Sequence, residues 1–245
     1  MNMLQKQSIA EMKRVLRNKY FVLWSLLMPI AFYYLFTNVV NTGLSDQRAW
    51  DAHYLMSMTV FSVMGSSIMT LGIRMVQERS QGWTAFIRIT PLPDYIYLSA
   101  QMIGQSVIHV LSITVIFLFG ALMNDIALSP FEWIMSGMWI LFGALPFLAL
   151  GTLIGRMRKV ETAAGISNVL YMLLALGGGM WMPVEVMPEV MQNIGRWLPS
   201  YHFGNGAWEL VRGGGPSWEN ILMLIAYLML FMLLSKYISR KQEAV

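Results

Sequence analysis

Six long runs without a charged residue restrict what this chain can become. They cover residues 21–40, 54–73, 95–123, 133–155, 162–184 and 220–235, and the 17 basic and 13 acidic side chains lie between or outside them. A charge at the centre of a bilayer costs about 2.5–3.5 kcal/mol on insertion scales, and a span needs about 20 apolar residues. We therefore expect an all-α membrane protein with six transmembrane helices.

The composition excludes most other classes of protein. Charged residues make up 12% of the chain, whereas an average soluble domain contains about 25%. The absence of cysteine excludes disulfides, thiolate metal sites and thiol nucleophiles. The 245 residues leave too little sequence outside the six runs for a separate catalytic domain. We expect a single transmembrane domain over residues 1–245.

Lysine and arginine are distributed unequally between alternate loops. Fourteen of them lie in residues 1–20, 74–94, 156–161 and the C-terminal tail, and three lie in the other loops. Because positively charged loops stay on the cytoplasmic side, both termini are expected inside. This topology also explains the net charge of +4, so we expect no nucleic-acid partner.

The segment 1–20 is predicted to form a cytoplasmic amphipathic helix. Its apolar face would carry Leu4, Ile9, Met12, Val15 and Leu16, and its basic face Lys6, Lys13, Arg14 and Arg17. Such a helix can lie in the membrane interface as a topology anchor, or it can contact a cytoplasmic partner. The pattern leaves both roles open.

The cytoplasmic segment 74–94 has a second amphipathic pattern. Val76, Trp83, Phe86 and Ile87 share one face of a helix that Pro91 then ends. Bulky apolar side chains on such a helix can rest on lipid, or they can insert into a groove of a soluble partner.

The external segment 184–219 follows three consecutive glycines, residues 177–179. Each glycine weakens a helix by about 1 kcal/mol relative to alanine, which suggests that the chain bends here. Pro183, Pro188 and Pro199 interrupt the segment. It forms either a re-entrant hairpin of short helices in the outer leaflet or an ordinary loop with aromatic residues at its surface.

Polar residues follow one face of the third span. Gln101, Gln105 and His109 are spaced by four residues, which puts them on the same side of a helix. They either form hydrogen bonds at a helix seam or line a substrate path. His53, His109 and His202 lack the spacing of metal ligands, so we expect no metal site.

Two segments together resemble the ABC-2 type transporter permease family. The sequence Glu78-Arg79-x-x-Gly82, followed by Thr90-Pro91, is similar to the family's cytoplasmic loop between spans two and three. The external segment is similar to the family's connection between spans five and six. Its matching residues are Gly179-Met180-Trp181-Met182-Pro183, Pro188, Pro199 and Glu209-x-x-Arg212. The order and the predicted side of both motifs agree, so the resemblance extends over the whole chain.

The resemblance implies the permease subunit of an ATP-driven exporter in a bacterial inner membrane. Such a permease forms a homodimer or a heterodimer and docks two copies of a separate ATPase. The chain has no Gly-x-x-x-x-Gly-Lys-Ser/Thr sequence, so we expect no cofactor and no catalysis here, with ATP and Mg²⁺ bound by the partner. The substrate class stays open between drugs, peptides and lipids.

The resemblance also assigns two groups of residues. The contact with the ATPase is expected from Glu78, Arg79, Gly82, Trp83, Phe86, Ile87 and Pro91. An outer gate is expected from Gly178, Gly179, Pro183, Pro188, Trp197 and Pro199. A six-span channel or secondary transporter is the alternative, but such proteins usually carry an ionisable residue within a span, and His109 is the one candidate.

Overall fold

The structure is a computed structural model that describes residues 3–17, 19–40, 46–83, 87, 89–90, 92–124 and 126–243. Every regular element in these residues is helical, which confirms the all-α expectation. The α-helices are α1 (Met3–Leu16), α2 (Lys19–Tyr34), α3 (Gln47–Gly65), α4 (Gly72–Ser80), α5 (Asp94–Met123), α6 (Pro130–Gly143), α7 (Leu145–Ile154), α8 (Val160–Gly177), α9 (Glu189–Gly195), α10 (Pro199–Val211) and α11 (Trp218–Glu243). Two π-helical segments, Leu35–Val40 and Ser66–Leu71, and a 3₁₀ turn, Val184–Val186, complete the described elements.

Five helical stretches of the described residues are long and apolar enough to cross a membrane. They are Gln47–Ser80, Tyr95–Met123, Pro130–Ile154, Val160–Gly177 and Trp218–Ser239. The first predicted span, residues 21–40, coincides with an apolar helix over Leu26–Val40 that is shorter than these five. The structure therefore supports a multi-span membrane protein, and the count of six spans stays a prediction.

The fourth span is interrupted where the sequence predicts one unbroken helix. α6 ends at Gly143, and α7 begins at Leu145 with Pro146 in its first turn. Proline lacks the N–H that would continue the hydrogen-bond ladder, and its ring displaces the preceding turn. At the N-terminus of α6, Ser129 and Glu132 form a reciprocal capping box that fixes its first residue.

The fifth span ends earlier than the charge pattern predicts. α8 stops at Gly177, seven residues before the predicted end at Val184. Gly179 has φ +83°, and the N–H groups of Gly179 and Met180 donate to the carbonyls of Leu176 (3.2 Å) and Ala175 (3.0 Å). This is the Schellman arrangement, which closes a helix where a glycine adopts the left-handed conformation.

The centre of the bundle is α3, because every residue from Asp51 to Gly65 is buried. α2, α5 and α10 pack around it. The interior carries large side chains such as Met56, Met58 and Phe61. α3 continues through the second π-helical segment into α4, so the buried centre of the protein connects directly to the cytoplasmic segment 74–94.

α1 packs along α5 through a face that differs from the predicted one. Ser8 and Glu11 are buried, whereas Ile9 of the predicted apolar face is 40% exposed. The contact is possible because Gly104 of α5 has no side chain: a Cβ there would lie 2.9 Å from the Cβ of Glu11. Leu4 and Met12 of the predicted face are half-buried, so the packed side of α1 overlaps that face in part.

Candidate functional site

The cytoplasmic segment turns sharply after α4. Gly82 has φ +79°, and the N–H groups of Gln81 and Gly82 donate to the carbonyls of Gln77 (3.0 Å) and Arg79 (3.1 Å). A residue with a side chain would be strained in this left-handed conformation. The single continuous helix expected from the sequence is therefore wrong, because the turn at Gly82 divides it.

This turn separates the apolar side chains that the sequence assigns to one face. Val76 and Ile87 are buried within the protein, whereas Trp83 is 41% exposed. Of these three, Trp83 is the one that a partner can reach. Phe86 and Pro91, the other predicted coupling residues of this segment, lie outside the described residues.

Glu78 of α4 joins three helices, α1, α4 and α5. Arg14 of α1 and Tyr97 of α5 donate to its two carboxylate oxygens in short contacts, and Gln101 donates at 2.9 Å. Arg74 lies 3.6 Å from the same carboxylate and donates to Gln101 at 2.6 Å. Hydrogen bonds to ionised groups are stronger than neutral ones, so this network fixes α1 and α5 to the coupling segment. Because Glu78 is buried, its carboxylate bonds side chains within the protein.

A second carboxylate, Glu11, borders this network. It is buried on α1, where Gln7 donates to it at 3.2 Å and Arg14 lies 3.1 Å away. Burial raises the pKa of Glu11, and the nearby Arg14 and Arg74 offset part of that rise. The cluster therefore contains Arg14, Arg74, Glu11 and Glu78, and the pKa of Glu11 is raised.

Arg79 also points into the protein. Its guanidinium donates to the carbonyls of Arg156 and Met157, at 3.1 and 3.3 Å, and to that of Gly155 in a short contact. These carbonyls belong to the turn that follows α7. Arg79 thus connects the segment 74–94 to the loop between α7 and α8.

The polar face of α5 lies against the second π-helical segment. Gln101, Gln105 and His109 are fully buried. Gln105 donates to the carbonyl of Ser66 at 3.2 Å, and His109 Nε2 lies 3.1 Å from Ser67 Oγ. These contacts form a seam between the second and third spans within one chain. π-Helical insertions frequently mark functional positions, and this one presents the hydroxyl of Ser67 to His109 of α5.

The external residues assigned to a gate lie at helix ends. Pro183 and Pro188 precede the 3₁₀ turn and α9, and Pro199 is the first residue of α10. A Cβ on Gly178 would overlap the hydroxyl of Ser200, so α8 and α10 meet at this glycine. Trp197 is exposed, and its carbonyl accepts a hydrogen bond from Tyr227 at 2.8 Å. The structure brings together Gly178 and the start of α10, while Trp197 lies at the surface.

α10 is buried among the spans rather than lying on the outer surface. Phe203 stacks on Phe147 of α7 with ring centroids 5.2 Å apart. Trp208 stacks on His53 at 4.6 Å and donates to Ser57 Oγ at 2.9 Å. Phe203 and Trp208 of α10 therefore pack inside the bundle.

The C-terminal end of α10 is tied to the start of α11. Glu209 accepts from Asn205 and Asn220, each at 3.0 Å, and from the backbone N–H of Ser217 at 2.8 Å. This explains the glutamate of the external motif as a structural residue. Sequence reasoning did not identify its partners because they lie across a glycine-rich turn.

A cavity of about 350 Å³ lies between α2, α3 and α8, and sequence reasoning missed it. Its walls include Phe32, Phe61, Tyr171 and Trp181. Ser62, Ser66 and Thr70 contribute to one side at a spacing of four residues, which was the available sequence signal. A largely apolar cavity with a few hydroxyls suits an amphipathic or apolar ligand.

Comparison with known proteins defines the class to which this fold belongs. Residues 38–237 match the family model described as ABC-2 family transporter protein. The chain therefore belongs to the ABC-2 transporter family, and it is a transmembrane permease.

Two relatives differ widely in their similarity. The chain is 89% identical over 245 residues, all of both chains, to the Bacillus subtilis (strain 168) protein named "Putative transport permease YvfS". It is 27% identical over 204 residues to the daunorubicin resistance ABC transporter permease protein DrrB1 of Streptomyces coeruleorubidus. That match covers 81% of this chain and 71% of DrrB1.

Proposed function

We propose that this chain is the permease subunit of an ATP-driven exporter and that a separate ATPase docks on its cytoplasmic segment 74–94. The observation that carries the proposal concerns two residues of this segment. Trp83 is exposed just after α4, and Glu78 of α4 is buried in a hydrogen-bond network. An aromatic side chain presented at a fixed turn suits the groove of a soluble partner. The network behind it transfers force from that contact to α1 and α5.

The proposed assembly contains two permease chains, identical or different, and two ATPase subunits that bind ATP and Mg²⁺. We place both termini in the cytoplasm of a bacterial cell and count Leu26–Val40, extended by the residues before it, as the first of six spans. We also propose that α9 and α10 form a re-entrant outer hairpin. The contact between Phe203 and Phe147 supports this hairpin, because Phe147 belongs to the fourth span.

The proposed substrate is an apolar, drug-like molecule that contacts the cavity between α2, α3 and α8. Its aromatic walls and sparse hydroxyls favour a large apolar ring system over an ion. The resistance role in the name of DrrB1 agrees with this class. Ser66 lines the cavity, and Gln105 and His109 contact Ser66 and Ser67 from the side of α5. They would therefore hold this wall of the cavity in position.

The docking site is tested by recovery of the ATPase with tagged permease from mild detergent. Removal of a central aromatic from an interface commonly costs about 2 kcal/mol or more, and 1.4 kcal/mol is tenfold in affinity. We therefore expect Trp83→Ala to weaken ATPase binding more than about tenfold. The matched control is Trp218→Ala, because Trp218 is 78% exposed at the other end of the bundle.

Equal recovery of the ATPase by wild type, Trp83→Ala and Trp218→Ala would rule out the docking site. Weaker membrane association of the segment with unchanged ATPase binding would mean that Trp83 rests on lipid. Both variants should reach the membrane in normal amount, since each changes an exposed side chain.

A further inference from the structure

The side chain of Arg79 extends from α4 to the backbone at the end of the fourth span. Its three acceptors are the carbonyls of Gly155, Arg156 and Met157. These carbonyls follow the C-terminus of α7, where no further helical turn supplies N–H groups that could donate to them. One guanidinium can serve several carbonyls because its five N–H donors have fixed directions in one plane. Arg79 therefore acts as a cap on the cytoplasmic end of the fourth span.

The helices on either side of this cap also approach closely through glycines. A Cβ on Gly155 would lie 2.9 Å from the Cβ of Met75, and one on Gly72 would lie 2.9 Å from Cγ2 of Ile154. A Cβ on Gly151 would overlap a carbonyl oxygen of the second π-helical segment. Small residues spaced by four allow such close packing of membrane helices. The second and fourth spans thus touch from the π-helical segment to their cytoplasmic ends.

We infer that Arg79 is a positioning residue that makes the coupling segment and the fourth span move as one body. This inference rests on the proposed docking of an ATPase. The guanidinium bonds the turn that follows α7, so Arg79 would act through this helix, a role that differs from the direct ATPase contact expected from the sequence. Because α7 packs against α11 and the second π-helical segment, its displacement reaches the last span and the middle of the second.

The experiment uses the full-length permease in lipid nanodiscs with the ATPase that co-purifies with the wild type. Arg79→Ala removes the cap, and Arg79→Lys keeps the charge but cannot reach three carbonyls from one ammonium group. Arg158→Ala is the matched control, because Arg158 is an exposed arginine of the capped turn. The readouts are ATPase affinity, the change in ATP hydrolysis caused by the permease, and hydrogen exchange over residues 155–161.

We expect both Arg79 variants to bind the ATPase within about twofold of the wild type, since the exposed Trp83 is retained. The permease-dependent change in ATP hydrolysis should fall about tenfold or more, because several charge-assisted hydrogen bonds are lost. Hydrogen exchange in the capped turn should rise in both variants. Arg158→Ala should resemble the wild type in all three measurements.

Two results would overturn the inference. Loss of ATPase binding in Arg79→Ala with unchanged hydrogen exchange would mean that Arg79 contacts the ATPase directly. Normal coupling in spite of increased hydrogen exchange would mean that the cap transmits nothing. If the wild type binds no ATPase, the proposed function fails, and hydrogen exchange alone still decides whether Arg79 holds the turn.

Discussion

Arg14 donates to the carboxylate of Glu78, a residue 64 positions later in the chain, and thereby joins α1 to the coupling segment. Tyr97 and Gln101 hold the other carboxylate oxygen. The N-terminal helix is consequently held to α4, and in the proposed orientation it belongs to the face that an ATPase would meet.

The two partners of this ion pair should differ in their effect on stability. Glu78→Ala leaves Arg74 buried without its carboxylate, which should cost several kcal/mol, about 3–5 for a fully buried pair. Arg14→Ala should cost about 1 kcal/mol or less, because more than a third of the Arg14 side chain is exposed. Thermal unfolding in detergent measures both. Equal losses would contradict the central place of Glu78.

The raised pKa of Glu11 should make stability fall with increasing pH. Below its ordinary pKa of 4.5, Glu11 is protonated in both the folded and the unfolded state. As pH rises from 4.5 through the higher folded pKa, the unfolded state loses its proton first, so ionisation favours unfolding. Glu11→Gln should therefore unfold at a higher temperature than the wild type at neutral pH.

The control for this pH dependence is Glu161→Gln, since Glu161 is an exposed acid in the first turn of α8. The difference in melting temperature between Glu11→Gln and the wild type should vanish near pH 4. A difference that stays constant from pH 4 to pH 8 would exclude ionisation of Glu11 as its cause.

Gly178 should tolerate no side chain, because a Cβ there would overlap Ser200 and lie 2.7 Å from the carbonyl oxygen of Leu174. Overpacking of this kind costs about 1–3 kcal/mol. Gly178→Ala should lower the melting temperature and impair export, and Gly178→Leu should do so more strongly. Gly165→Ala is the matched control in the same helix, since space around Gly165 is open. Similar melting temperatures for the two alanine variants would refute the contact.

The hydrogen bond from Trp208 to Ser57 should hold α10 against α3. Trp208→Phe keeps a ring beside His53 but removes the N–H donor, and this should cost about 1 kcal/mol. Ser57→Ala should cost a similar amount by removing the acceptor. The double variant should lose about 1 kcal/mol less than the sum of the two single losses, because both changes delete the same bond. Additive losses would indicate two independent effects.

The orientation of the chain is tested with single cysteines, since the natural sequence has none. Fourteen of the 17 basic residues lie on the predicted inner side, so Pro188→Cys should react with an impermeant thiol reagent in intact cells. Lys241→Cys should react only after the cells are opened. Labelling of residue 241 alone in intact cells would reverse the topology.

The sequence predicted the class of fold because a charge within lipid is costly wherever it occurs, and the runs could be read without knowing any contact. The charge-free run extends past the end of α8, but the glycines at residues 177–179 marked the bend. The sequence could not predict the Schellman motif itself, because it depends on hydrogen bonds between particular backbone groups. The break beside Pro146 was readable in principle, since proline removes a helix donor. The residues on both sides of Pro146 form one continuous apolar run, which hid the break.

The contacts of the candidate site could not be predicted from the sequence. Glu78 and Arg79 of the quoted motif turn inward, and Trp83 is exposed. Helical periodicity treats Trp83 and Ile87 as neighbours on one face, whereas the turn at Gly82 separates them. The cavity beside Tyr171 depends on which faces of three spans meet, and no local pattern encodes that.

The central claim is tested most directly by ATP-dependent transport in proteoliposomes that contain the permease and its co-purifying ATPase. Daunorubicin serves as the probe, because DrrB1 is named for resistance to it. With ATP supplied on the ATPase side, we predict uptake that requires both proteins and is lost in Trp83→Ala but not in Trp218→Ala. Uptake by the permease alone, driven by an ion gradient and indifferent to ATP, would contradict the account.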